Sequence, residues 1–346
     1  MMSKPDDKSV VKEYCKSEDE HDLAAFDDRI NLSVPVLELQ LQKADHRQTS
    51  KHMKSFIPRI PPRILAFCGG GTLCLAHIGI LKSLSKHGLL SSVRESVGIS
   101  AGAIISLLYV LGYTLDEIER LSLALDFTSF FPQFDPNMLV TLYTTWGLDT
   151  GAVAERFIRS LFTTKDISPD ITFSELGKRG MKLRCYATEI QTASIKEFSS
   201  SKTPNVSVAF AIRASISLPV IFTPVRDVKA MYMDGGIIHN TPLPFLTDAE
   251  IRDTLCFHFD TSHVNLSDMS VMDACKCIYT SMTKLRNDAM VQKYKENTIC
   301  VPMHGELPIQ DSYSLVYRNK LIQKGEDACN AFLKKGVVRP RRFSAV

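Results

Sequence analysis

Twice between Arg63 and Leu111 the sequence passes from a short apolar run, through a turn of small residues, into an apolar run with helical spacing. The first passage is Arg63-Ile-Leu-Ala-Phe67, then Cys68-Gly69-Gly70-Gly71-Thr72, then Leu75, Ile78, Leu81 and Leu84 at spacings of three. The second is Glu95-Ser-Val-Gly-Ile99, then Ser100 between Gly98 and Gly102, then the apolar stretch from Ala101 to Leu111. A buried strand that feeds a helix through a tight turn is the unit from which parallel sheets covered by helices are built. It also points the free N–H groups and positive end of the new helix at whatever the turn carries.

Gly98-Ile-Ser100-Ala-Gly102 places a serine at such a turn. Small neighbours are needed there because larger side chains would clash as the backbone reverses, and a serine so held can act as a nucleophile. Alone the motif is weak, since glycine and serine are common in loops. The Gly69-Gly70-Gly71 triplet leaves backbone N–H groups uncovered and able to face an anion, as an ester-cleaving serine requires for its oxyanion. No Gly-Lys-Ser/Thr follows it, so a nucleotide P-loop is excluded, and Cys74 stands where a dinucleotide fingerprint needs its third glycine. Downstream, Met231-Tyr-Met233 reads as a strand ending at Asp234-Gly235-Gly236, which by itself is an ordinary Asp-Gly turn.

In combination and in this order, the three motifs resemble the patatin-like phospholipase family. The resemblance extends from about Arg63 to about Lys335. It takes in His77-Ile-Gly-Ile-Leu81, Cys185-Tyr-Ala-Thr188, Arg213-Ala-Ser215-Ile-Ser217-Leu-Pro219, Asn240-Thr-Pro242 and Leu321-Ile-Gln-Lys-Gly325. It implies an α/β fold: a patatin-like three-layer sandwich with a mostly parallel central sheet and helices on both faces. It implies a lipid acyl hydrolase of the phospholipase A or lysophospholipase type, with Ser100 as nucleophile and Asp234 as its base in a dyad without histidine. A carboxylate is a weak base for an alcohol, and burial would make it more basic. The loop Gly69, Gly70, Gly71 and Thr72 becomes the oxyanion hole, with Gly70, Gly71 and Thr72 as donors. Gly98, Gly102, Gly235 and Gly236 support the two catalytic turns. No calcium or cofactor is needed when backbone amides hold the oxyanion. The implied partners are a phospholipid or other lipid ester, transient contact with a membrane surface, and a possible protein activator that the sequence does not name. The chain departs from the family at Leu73, where Lys or Arg is usual, and at Cys74, where glycine is usual. A Cβ at position 74 is expected to strain the loop or to be taken up by a changed backbone.

Composition sets outer bounds. A chain of 346 residues with 45% hydrophobic content can bury a sizeable core. A net charge of +3 gives no reason to expect nucleic acid. The longest apolar stretch, Ala101 to Gly112, is too short to span a bilayer, and Met1 to Glu20 lacks a signal-peptide core. Nine cysteines then read as free thiols, so the expected location is cytoplasmic, peripheral at membranes. Cys275-x-Cys277 lacks zinc spacing and the nine histidines are scattered, so no metal site is read. Residues 1–60 are expected to form a polar extension, partly disordered or helical, closed by Pro58, Pro61 and Pro62. Residues 61–336 form the patatin-like domain and 337–346 a basic tail with Arg339, Arg341 and Arg342.

Further elements follow from periodicity and turn chemistry. Helices are expected from Thr114-Leu-Asp-Glu117 (a capping box) through Leu125, over Gly151–Phe162, Val206–Arg213, about Met269–Tyr294 and Asp311–Lys335. Strands are expected over Met181–Ala187 with a hairpin partner at Ile195–Phe198, over Thr254–Phe259 and over Asn297–Met303. His77 reads as a hydrogen-bonded structural histidine and Arg213 as a clamp on backbone carbonyls. Two other readings stay open. One is an α/β-hydrolase with a Ser-Asp-His triad, for which His239, His258, His263 and His304 are available. The other is a weakly active or inactive protein that binds lipid or a partner.

Overall fold

The computed structural model describes residues 61–125, 129, 138–261, 281, 284–306 and 314–335. All lie in one of the two units into which the chain divides, Phe56–Val346. The expected extension at 1–60, the tail at 337–346, His263, and the starts of the helices expected from Met269 and Asp311 lie outside the described residues.

The strands are β1 (Ile64–Phe67), β2 (Glu95–Ile99), β3 (Gly147–Asp149), β4 (Lys182–Glu189), β5 (Ser194–Ser199), β6 (Val220–Phe222), β7 (Val225–Arg226), β8 (Met231–Asp234), β9 (Thr254–Asp260) and β10 (Thr298–Pro302). The helices are α1 (Leu75–Lys86), α2 (Ala101–Val110), α3 (Leu115–Ala124), α4 (Met138–Thr145), α5 (Ala152–Thr163), α6 (Phe173–Gly177), α7 (Val208–Ser215), α8 (Asp248–Arg252) and α9 (Leu315–Lys334). Residues 284–293 are also helical. Both strand-to-helix passages that open the sequence are formed, β1 to α1 and β2 to α2. Thr114 accepts from the Glu117 N–H while the Glu117 carboxylate accepts from the Thr114 N–H, so the expected capping box starts α3.

The main sheet has the order β10-β9-β1-β2-β4-β8-β7, with β5 also paired to β4. The run from β10 to β4 is parallel. The pairs β4–β5, β4–β8 and β7–β8 are antiparallel. Alternate residues of the buried strands serve two faces. Leu65, Phe67, Leu255, Phe257 and Phe259 join the large core formed with α1, α2 and α9. Ala66 and Cys256 turn the other way, onto Leu243, Leu246, Ile251 and Tyr294. The mostly parallel sheet with helices on both faces is thus present. Sequence periodicity missed the small parallel pair β3–β6, whose strands are too short to carry an alternation.

Candidate active site

The site is set by the way two strands share one edge of β4. β5 pairs along Arg184–Glu189. On the opposite edge β2 pairs with Lys182–Tyr186 and β8 with Ala187–Glu189. β2 runs parallel to β4 and β8 antiparallel, so their C-terminal ends converge: Ile99 registers with Tyr186, and Asp234 with Ala187. Ser100 is the next residue after Ile99. Its Oγ donates to Asp234 Oδ2 at 2.6 Å. Ser100 is 7% exposed and Asp234 is fully buried.

Ser100 has φ 53° and ψ −132°, a conformation that non-glycine residues rarely adopt and that recurs at functional turns. Its neighbours must be small. A Cβ on Gly98 would lie 2.5 Å from the Gly102 carbonyl oxygen, and one on Gly102 would run into the carbonyl oxygens of Phe67 and Cys68. At the acid, Gly236 N–H donates to Asp234 Oδ1 at 2.7 Å, and a Cβ on Gly235 would collide with the Tyr186 carbonyl. The Asp234 N–H donates to Ser217 O at 2.8 Å, and Thr188 Oγ1 donates to the Asp234 carbonyl at 2.9 Å. The carboxylate is therefore fixed from both its backbone and its side chain.

The glycine-rich loop passes beside the serine: a Cβ on Gly69 would lie 2.9 Å from Ser100 Cβ. Gly69 N–H, however, donates to Asn240 O at 3.1 Å, so Gly69 shapes the loop but its N–H is already used. No described residue accepts a hydrogen bond from the Gly70 or Gly71 N–H. Gly71 has φ 54° and opens a 3₁₀ turn, Gly71–Cys74, that leads into α1. The expectation of strain at Cys74 is corrected here. Cys74 has φ −57° and ψ −17°, ordinary right-handed helical values that any residue adopts, because the loop has already wound into helix at that point. Leu73 is fully buried in the main core and so does not stand where a cation would meet a head group.

The described histidines have other partners. His77 Nε2 is 3.0 Å from Cys68 O, and the ring stacks on Phe259 with centroids 4.5 Å apart. Burial pushes its pKa down to about 3, so it is a neutral structural group. His239 packs edge-on against Phe245, and His304 faces a separate cavity with Cys300 and Lys324. With Ser100 Oγ bonded directly to the carboxylate, no described histidine stands between the two.

Ser100 opens onto an almost wholly apolar pocket of about 120 Å³. Its walls include Ile104 and Leu108 of α2, Leu121 of α3, Phe157 of α5, and Ile216 and Phe222. Cys74 also lines it, but burial pushes that thiol up to about 12 and keeps it protonated, so it does not compete as a nucleophile.

A family model described as "Patatin-like phospholipase" matches residues 65–247, just over half of the chain. The chain belongs to the patatin-like phospholipase family. Among its relatives, an uncharacterized protein of Acanthamoeba polyphaga mimivirus is 28% identical over 205 residues, 58% of this chain and 66% of the viral protein. A protein of Invertebrate iridescent virus 6 named "Probable lipid hydrolase" is 28% identical over 190 residues, 52% of this chain and 62% of its own length. The chain thus spans just under two thirds of these relatives. VipD from Legionella pneumophila shares the fold, with a TM-score of 0.53 and 17% identity, covering 80% of this chain and 67% of that one.

Three residues of this chain sit at the site without having been given a role from sequence. Ser215 Oγ accepts the Ser100 N–H at 3.0 Å, Ser217 receives the Asp234 N–H, and Asn240 takes the Gly69 N–H. All three fall in stretches that carry the family resemblance, so the signal was present but not its geometry. Arg213 is the expected clamp. Its guanidinium donates to Ser217 Oγ at 2.6 Å and to the Thr150 carbonyl at 2.8 Å, which links the serine that receives Asp234 to the loop before α5.

Proposed function

We propose that this chain hydrolyses acyl esters of phospholipids or lysophospholipids through a Ser100–Asp234 dyad. The observation that carries this reading is the 2.6 Å hydrogen bond from Ser100 Oγ to Asp234 Oδ2 beside an apolar pocket that suits a fatty-acyl chain. As Ser100 Oγ bonds to the ester carbonyl carbon, its proton passes to Asp234, and the negative charge moves to the carbonyl oxygen. The Gly70 and Gly71 N–H groups, with Thr72 beside them, receive that charge at the N-terminal side of α1. The tetrahedral intermediate collapses, the C–O bond to the leaving alcohol breaks, and the alcohol takes the proton from Asp234. Water then loses a proton to Asp234 and attacks the acyl-serine. The fatty acid leaves, and the proton returns to Ser100.

The direct serine–carboxylate contact favours this dyad over a histidine triad. A fluorophosphonate probe should label Ser100 alone. The purified protein should release fatty acid from phosphatidylcholine or lysophosphatidylcholine, and Ser100→Ala should do neither. Label retained in the alanine variant, or hydrolysis that survives it, would refute the assignment.

A further inference from the structure

A group of exposed apolar residues lies close along the chain to the pocket walls. On α4, Leu139, Val140 and Tyr143 are 75%, 62% and 87% exposed, and Trp146, just past its end, is 50% exposed. Gly147, the next residue, registers with Val220 of β6, which is also exposed. Trp146 and Val220 both hold positive φ, 65° and 69°, a backbone state that bulky and β-branched residues rarely adopt. The surface adjoins the pocket through the chain itself. β6 ends on Phe222, a pocket wall, and the first turns of α5 expose Val153 but give Ala154, half-buried Phe157 and Ile158 to the pocket.

The chemistry of this face fits lipid. Met-Leu-Val-Thr-Leu-Tyr-Thr-Thr, the whole of α4, contains no charged residue. The hydroxyls of Thr144 and Thr145 donate back to the Val140 and Thr141 carbonyls at 2.8 Å, so they can leave water with their hydrogen bonds already made. Tyr and Trp have apolar bodies and polar tips, which suit the head-group level of a bilayer. The Arg226 guanidinium sits 5.4 Å from the Trp146 ring centroid, where it could meet a lipid phosphate. A contiguous apolar face of this kind marks an interaction surface.

We infer that the face formed by α4, Trp146 and Val220 docks the protein on a phospholipid surface and holds the pocket mouth against the acyl chains. This inference rests on the proposed lipid hydrolysis, but it can be tested apart from it. Trp146 is the single tryptophan of the chain, so its fluorescence reports on this face alone. With the Ser100→Ala protein and phosphatidylcholine vesicles, Trp146 emission should shift to the blue. It should be quenched when the lipid acyl chains are brominated, and both effects should persist at high salt with at most the small loss that screening of Arg226 allows, because most of the contact is apolar. In the active protein, Leu139→Asp with Tyr143→Asp should cut vesicle hydrolysis by about tenfold or more, yet leave a soluble short-chain ester cleaved as before. Sedimentation with vesicles while Trp146 emission stays unchanged would overturn the inference, since another face would be docking. So would the absence of any vesicle binding, or a lipid-free emission that varies with protein concentration, which would mean that a second copy covers the face. A wild-type protein that cleaves no ester but still shows the Trp146 shift would sink the hydrolase reading and leave the docking surface standing.

Discussion

Ser215 Oγ accepts the backbone N–H of Ser100 at 3.0 Å and donates its own proton to the Tyr186 carbonyl at 2.7 Å. One hydroxyl thus ties the strained turn that carries Ser100 to the middle of β4, at the point where the strands leading to Ser100 and Asp234 meet. Ser215→Ala leaves a buried N–H and a buried carbonyl without this partner, at a stability cost of about 1–3 kcal/mol. The expected kinetic result is a fall of roughly tenfold or more in kcat on a soluble ester. KM should change little, because the pocket walls are untouched. An equal rise in KM with kcat intact would show that Ser215 shapes binding rather than the nucleophile.

Asp234→Asn should lower kcat by about two to four orders of magnitude, since an amide does not accept the serine proton. The asparagine oxygen can still accept the Gly236 N–H, so the fold should persist, as circular dichroism would record. His239→Gln and His304→Ala should retain most activity. If either proved as damaging as Asp234→Asn in a folded protein, the base would have to be reassigned.

Cys74 sits at helical dihedrals and Leu73 is wholly enclosed. Leu73→Arg should therefore destabilise the protein, because it forces a guanidinium into the apolar core. Cys74→Gly should relieve no strain. It should cost roughly 0.5–1 kcal/mol through added backbone freedom at the start of α1, with little gain in turnover. Urea unfolding of the two variants would check this, and a stabilised Leu73→Arg protein would contradict the burial argument.

Burial holds His77 at about 3 and His258 at about 4, against an ordinary value of 6.5. Desolvation of the charged ring is the main cause in both. At His258 the carboxylates of Asp288 and Asp260 oppose it, and Lys284 adds to it. Between these folded values and 6.5 the unfolded chain binds more protons than the native one, so stability rises with pH in that window. The contribution is fully present above about pH 6.5. As pH falls it is lost at up to about 1.4 kcal/mol per unit for each histidine, until the folded values are reached. Urea midpoints measured from neutral pH down to about pH 5 should fall accordingly. A flat profile would mean that these rings are more accessible to protons than their burial implies.

The sequence by itself determined the two strand-to-helix units, the capping box at Thr114, the β4–β5 hairpin and the identity of Ser100 and Asp234 as candidates. The first three rest on local physics: periodicity, small residues where the backbone reverses, and side chains that reach only a few positions along the chain; the pair of candidates rests on the order of three motifs, which resembles that of a known family. The tertiary structure decided what those candidates do for one another. Ser100 and Asp234 are 134 residues apart and meet only because β2 and β8 approach along the same edge of β4 from opposite directions. That register is a non-local choice, made when each strand buries its apolar residues on the correct face, and no local pattern contains it. The same holds for the glycine-rich loop. Whether an N–H in a glycine run is free depends on what else comes near: the Asn240 carbonyl, brought in by the turn after β8, accepts the Gly69 N–H, while those of Gly70 and Gly71 have no described acceptor.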